Sequence, residues 1–146
     1  MSNVRETISI VMVEDDEGHA RLIEKNLRRA GISNTIIHFS TGKQAVDYFF
    51  DENGYISQAD PLLVLLDLNL PELDGYEVLK RIKGDVRTRA IPVIILTTTD
   101  NPREIDRCYE MGCNVYVTKP VDYEAFAEAI RKLGLMLAVV KIPNQE

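Results

Sequence analysis

Short apolar runs punctuate the chain: ISIVMV at 8–13, TIIHF at 35–39, LLVLL at 62–66, IPVIIL at 91–96 and NVYV at 114–117. Runs this short and this apolar predict strands, and those apolar on both faces predict a sheet covered by helices on each side. Between them the apolar positions recur at helical spacing. Ala20, Ile23, Leu27 and Ala30 form one stripe, with Arg and Lys gathered near its end and Gly31 placed to stop it. Thr41 and Gln44 read as a capping box before Ala45, Val46, Phe49 and Phe50; Asp74 and Glu77 stand as N-cap and N3 before Val78, Leu79 and Ile82. Asn101 followed by Pro102 opens a helix through Met111 that turns Ile105, Cys108 and Tyr109 inward and closes at Gly112. A last helix begins near Asp122 and buries Phe126, Ala127, Ile130 and Leu133. Five strands alternating with five helices predict an α/β fold: a doubly wound parallel sheet with right-handed crossovers.

Composition narrows the class. A chain of 146 residues that is 45% hydrophobic and 27% charged suits one soluble domain. A net charge of −6 without a basic cluster argues against nucleic acid and anionic membrane surfaces as partners. No apolar stretch is long enough for a membrane span, and the N-terminus MSNVRETISIVMVEDD lacks a signal-peptide pattern, so the reading is cytoplasmic. Cys108 and Cys113 lack metal-type spacing and read as buried thiols in a reducing compartment. With only His19 and His38 present, a histidine-based catalytic or metal cluster is not expected. The loop at 51–61 joins a helix end to a strand start. It therefore belongs on the side away from the strand C-termini, as an exposed surface rather than a catalytic lid.

The chemistry collects at the strand tips. In open α/β sheets the binding crevice lies outside the C-terminal ends of the strands. There the chain places Glu14 and Asp15, Asp67, Thr97 and Lys119. An acid at the end of a buried strand needs partners, because an isolated buried charge is costly. Alone, Asp67 could equally be a loop or capping aspartate. Three carboxylates this close demand a cation, most naturally Mg²⁺, with Mn²⁺ a similar hard oxygen-ligated ion. Metal, lysine and hydroxyl around a carboxylate can stabilise a phosphoryl group in transfer, and the carboxylate can itself accept it.

The motifs VEDD (Glu14, Asp15), LLDLNLPELDG (Asp67, Pro71), ILTT (Thr97) and VYVTKP (Tyr116, Lys119, Pro120) together resemble the receiver domain of two-component response regulators, from about Ile8 to Leu133. That resemblance implies a flavodoxin-like five-stranded sheet in the order 2-1-3-4-5. It implies that Asp67 takes a phosphoryl group from a sensor histidine kinase. Asp15, Asp67 and the Asn69 backbone carbonyl would bind Mg²⁺ (or Mn²⁺), with Glu14 acting through water. Lys119 would pair with Asp67 and then with the phosphoryl oxygens, and Thr97 would donate its hydroxyl. Tyr116 would turn inward as Thr97 moves, and the bond before Pro120 would be cis. Thr98 stands where the family often has alanine or glycine, which should alter access to the acyl phosphate. The loop at 51–61, LTTTD and the apolar tail further resemble single-domain response regulators partnered with bacterial and cyanobacterial phytochromes.

Two rivals share the architecture. A haloacid-dehalogenase-type phosphatase needs a second acid two residues after its nucleophile, where this chain has Asn69; a flavodoxin needs a hydroxyl- and glycine-rich phosphate loop, where this chain has EDDEG. A module that no longer phosphorylates fits poorly with Asp15, Asp67, Thr97 and Lys119 all present; a phosphorelay intermediate stays open. Residues 1–146 read as one receiver domain with no DNA-binding output domain, its core over about 8–133. The tail at 134–146 contains Leu135, Met136, Leu137, Val139, Val140 and Ile142, more than one helical stripe can bury. The last helix and this tail are therefore expected to form a homodimer.

Overall fold

In the computed structural model, residues 8–51, 61–119 and 123–132 are described. The expected alternation is present. Strands β1 (Ser9–Val13), β2 (Ile36–Phe39), β3 (Leu62–Asp67), β4 (Val93–Thr97) and β5 (Val115–Thr118) pair in parallel in the order 2-1-3-4-5. Helices α1 (Glu17–Arg29), α2 (Gly42–Phe50), α3 (Gly75–Gly84), α4 (Pro102–Glu110) and α5 (Tyr123–Lys132) connect and cover them.

Strand alternation divides the core into two layers. Ile10, Met12, Leu63, Leu65, Ile94, Leu96, Val115 and Val117 meet Ala20, Ile23 and Leu27 of α1 and Ala129 of α5 on one face. Val11, Val13, Val64, Leu66, Val93 and Ile95 meet Phe49 of α2, Val78, Leu79 and Ile82 of α3 and Cys108 of α4 on the other. Each fully buried aliphatic side chain contributes about 1.5–3 kcal/mol relative to exposure, so neither face can be left uncovered. β3 sits at the centre of the sheet, and all six of its residues are buried, Asp67 included.

The caps form largely as expected. Asp16 accepts from the His19 N–H (3.0 Å), Thr41 from Gln44 (3.0 Å), Asp74 from Glu77 (2.9 Å) and Asn101 from Arg103 (2.9 Å). Gly31 and Gly112 take φ values of 89° and 107° past the ends of α1 and α4, a conformation that costs other residues a Cβ clash. The return half of the Thr41 box differs: the Gln44 amide oxygen accepts from the Ser40 N–H (2.9 Å). Glu77 instead pairs with Arg81 (3.3 Å), one helical turn on.

Other differences follow from tertiary packing. Strand β4 starts at Val93 rather than at Ile91, because Ile91 closes a turn on the Thr88 carbonyl (3.0 Å). Ala30 is the C-cap of α1 and only partly buried. Among the described side chains of α5, Ala129 is buried and Ala127 half-buried. Tyr109 does not turn inward; it is exposed and its hydroxyl accepts from the Tyr116 N–H (3.2 Å) at the sheet edge. The side chains of Phe126 and Ile130, the expectation for Leu133, and the loop at 52–60 lie outside the described residues.

Both cysteines are free and buried. Burial, with Cys108 nearby, pushes the Cys113 thiol up to about 12 from its ordinary value near 9, against the opposing pull of Lys83. Between those values the unfolded chain releases the proton and the native state keeps it, so stability is complete below about pH 9 and falls as pH rises toward about 12. Urea titrations from pH 8 to 11 should show this decline, with a shallower slope in Cys113→Ala. An identical slope in the variant would rule out Cys113 as a source of the decline.

Candidate phosphoryl-acceptor site

The alternation that divides the core also aims the site residues. Glu14 follows β1 on the face of Ile10 and Met12; Asp67 shares the face of Leu63 and Leu65; Lys119 continues the row of Val115 and Val117. All three therefore point to the side covered by α1 and α5. Thr97 ends β4 in the row of Val93 and Ile95, the face of Tyr116. The backbone ties the two sets together, since the Lys119 N–H donates to the Thr97 carbonyl (2.7 Å).

Carboxylate oxygens of Glu14, Asp15 and Asp67 lie within 4.8 Å of one another. Glu14 is 2% exposed at its side chain and Asp67 7%, whereas Asp15 faces solvent. Lys119, itself 7% exposed, offsets the buried pair: its Nζ donates to Glu14 Oε1 at 2.5 Å and to Asp67 Oδ2 at 3.3 Å. The expected Lys119–Asp67 pair is present, but Glu14 is the closer partner. Burial raises the Glu14 pKa; hydrogen bonding to Lys119 lowers it and the nearby Asp67 charge raises it again. Asp67 Oδ1 also accepts from the Asn69 N–H (3.2 Å), which brings the Asn69 peptide against the carboxylate.

Clustered hard oxygen donors, a buried anionic pair and one exposed carboxylate suit a divalent ion such as Mg²⁺ or Mn²⁺. On the opposite face, Thr97 is fully buried, and among the described residues its hydroxyl has no hydrogen-bond partner. A buried hydroxyl of this kind can donate to an acceptor brought beside it. Tyr116, half-buried, donates its hydroxyl to the Thr99 carbonyl (2.8 Å). Thr98 lies exposed between Thr97 and Thr99. Pro120 and its peptide bond lie outside the described residues.

Several contributors had only faint sequence signals. His38 on β2 places Nε2 2.8 Å from the Glu14 carbonyl, and His19 on α1 places Nδ1 3.3 Å from Lys119 Nζ. Both histidines thus touch the site without forming a histidine cluster. His19 follows the α1 N-cap Asp16 by three residues, and that spacing brings a first-turn side chain back over the strand tip. Gly75 was equally silent. A Cβ there would collide with the Asp67 carbonyl and the Leu68 backbone, and its N–H donates to the Leu68 carbonyl (2.9 Å). Between them, Glu72 takes φ 69°, at the centre of a tight turn closed by the Leu73 N–H on the Pro71 carbonyl (2.7 Å). That conformation is rare and strained for a residue with a side chain.

Comparison with known proteins agrees with this geometry. The response regulator receiver domain model matches residues 10–131, and the chain belongs to that family. It is similar to a receiver domain from Rhodospirillum rubrum of known crystal structure (57% identity, 95% of this chain and 99% of that one, TM-score 0.76). It is also similar to the bacteriophytochrome response regulator AtBRR (34% identity, 94% and 99% covered, TM-score 0.80). Response regulator Rcp1 of Synechocystis sp. is 37% identical over 110 residues, 75% of each chain. The solved Mn²⁺-bound form of Rcp1 matches at 32% identity over 88% of this chain and 91% of that one, with a TM-score of 0.68. The chain thus has the fold and sequence of a two-component response regulator receiver domain, a family of phosphoacceptor switches.

Substituting Gly75 should disturb both the fold and the acidic site. Gly75→Ala is expected to cost about 1–3 kcal/mol through overpacking and to weaken Mg²⁺ binding by displacing the Asp67 backbone. Chemical denaturation and calorimetric Mg²⁺ titration would detect both effects, and a variant matching wild type in each would refute the close-approach argument.

Proposed function

We propose that Asp67 accepts the phosphoryl group from a sensor histidine kinase and that the surrounding residues carry out the roles the strand tips suggest. The observation that carries this reading is the Lys119 ammonium set between the Asp67 and Glu14 carboxylates with Asp15 beside them, and on the next strand a Thr97 hydroxyl without a partner among the described residues. In the transfer, an Asp67 oxygen attacks phosphorus and the bond to the kinase imidazole nitrogen breaks. The leaving nitrogen keeps the electron pair and takes a proton from solvent. Lys119 releases carboxylate contacts and donates to phosphoryl oxygens, and Thr97 supplies the hydroxyl that otherwise lacks an acceptor.

A divalent ion, Mg²⁺ or Mn²⁺, would be held by Asp15, Asp67 and the Asn69 carbonyl, with Glu14 acting through water, and would neutralise charge on the phosphoryl oxygens. Phosphorylation adds nearly two negative charges and three acceptor oxygens. Thr97 follows that charge, and Tyr116, on the same face and tied to Thr99, moves with the loop. The product acyl phosphate is lost by hydrolysis in the same site, which returns the switch to its resting state.

The likeness to a bacteriophytochrome response regulator supports a phytochrome-type histidine kinase as the partner. Such a kinase is charged by ATP, which puts the reaction in the cytoplasm; among the described residues no helix is long and apolar enough to cross a membrane. The acidic net charge of −6 disfavours a nucleic-acid role. The apolar residues at 135–142, outside the described residues, support a homodimer through the last helix and the tail.

Incubation with acetyl phosphate and Mg²⁺ should add about 80 Da, the mass of one phosphoryl group, and Asp67→Asn should abolish the adduct. An adduct that survives in Asp67→Asn, or its absence in wild type with both acetyl phosphate and a phosphorylated kinase, would refute the assignment. Light scattering at micromolar concentrations should give a dimer mass; a monomer would remove the tail from the proposal.

A further inference from the structure

The Lys119 ammonium has three N–H donors and, among the described residues, three acceptors: Glu14 Oε1 at 2.5 Å, Asp67 Oδ2 at 3.3 Å and His19 Nδ1 at 3.3 Å. An ammonium cannot accept, so as a hydrogen bond this contact requires His19 Nδ1 to be the acceptor, in the tautomer that carries its proton on Nε2. The three acceptors differ in kind. Glu14 and Asp67 are buried carboxylates, whereas the His19 side chain is 48% exposed and its Nδ1 also lies 3.8 Å from Glu14 Oε2. Its backbone is fixed by the N-cap bond to Asp16 (3.0 Å) in the first turn of α1. Of the three acceptors of Lys119, the imidazole is therefore the one on the solvent side of the site.

We infer that His19 is a positioning residue: its Nδ1 keeps one Lys119 proton turned toward the mouth of the site and yields that proton to an oxygen of the incoming phosphoryl group. The inference rests on the assignment of Asp67 as phosphoacceptor. Exchanging a neutral acceptor for an anionic phosphoryl oxygen strengthens the hydrogen bond, and an exposed imidazole released to water loses little. Taking the same proton from Glu14 instead would leave a buried carboxylate short of a donor. Without His19, Lys119 has only the two inner carboxylates and must be turned outward during the transfer, which forfeits preorganisation.

The test compares His19→Leu and His19→Ala, which remove the acceptor, with His19→Asn, whose amide oxygen can stand in the place of Nδ1. Initial rates of acyl-phosphate formation with acetyl phosphate at saturating Mg²⁺ should fall about fivefold in the Leu and Ala variants, the size expected for one ordinary hydrogen bond. His19→Asn should stay near wild type. Thermal midpoints and calorimetric Mg²⁺ affinities should be unchanged in all three, while the ¹⁵N resonance of the Lys119 ammonium shifts in Leu and Ala but not in Asn. Rates in Leu and Ala equal to or faster than wild type would overturn the inference, as would an Asn variant as slow as Leu. Failure of the underlying assignment looks different: wild type would then take no phosphoryl group, or Asp67→Asn would keep one, whatever stands at residue 19.

Discussion

The buried ammonium of Lys119 is the contact on which this site depends. Glu14 and Asp67 are carried into a nearly dry position by two adjacent central strands, and repulsion between them is relieved by one cation at 2.5 and 3.3 Å. Breaking such an arrangement by removing one partner is far more costly than its net worth suggests, because the charges left behind stay buried. The site is therefore poised rather than relaxed. A divalent ion and a phosphoryl group together bring two positive charges and nearly two negative ones, so Lys119 can change partners without any carboxylate being stranded.

Parity along the strands explains how one event at Asp67 can be felt on both sides of the sheet. Glu14, Asp67 and Lys119 point toward α1 and α5, while Thr97 and Tyr116 point toward α3 and α4. A group bonded to Asp67 extends beyond the strand tips, where side chains from both faces converge, and the Lys119 N–H to Thr97 carbonyl bond keeps the two sets in register. In the proposed switch, the Thr97 hydroxyl and the Tyr116 bond to the Thr99 carbonyl give the β4 end two arrangements to move between. An element of that kind is what a switch requires.

Strand-tip chemistry was legible in the residues because apolar runs ending in acid, hydroxyl or lysine have few explanations other than a site. Helices on both faces of a parallel sheet and the convergence of Glu14, Asp15, Asp67, Thr97 and Lys119 followed from alternation and the strand-end rule, whereas the sheet order followed from the resemblance to receiver domains. What escaped depends on approach between segments distant in sequence. Gly75 reads as an ordinary helix start until its contact with the Asp67 backbone is seen. Tyr109 has the spacing of an inward residue, yet β5 is an edge strand with an unpaired N–H, and the phenol turns outward to cover it. His19 and His38 were set aside as too few for a cluster, when His38 instead meets the Glu14 carbonyl and His19 meets Lys119 and, at 3.8 Å, the Glu14 carboxylate.

The closer approach of Lys119 to Glu14 than to Asp67 bears on reactivity. A carboxylate tightly paired with an ammonium is a poorer nucleophile, since its electron pairs are already committed to strong charge-assisted bonds. At 3.3 Å the Asp67 contact is long for such a bond, whereas the 2.5 Å Glu14 contact is short. With Asp67 as the proposed nucleophile, Glu14 draws the cation off it while keeping it near enough to meet charge that develops on a transferring phosphoryl group. This gives a buried glutamate beside the acceptor a second task, distinct from neutralising a metal ion. It also accounts for its location: β1 neighbours β3, and the first residue after β1 on the shared face is the one that can reach Lys119 across the tip of the central strand.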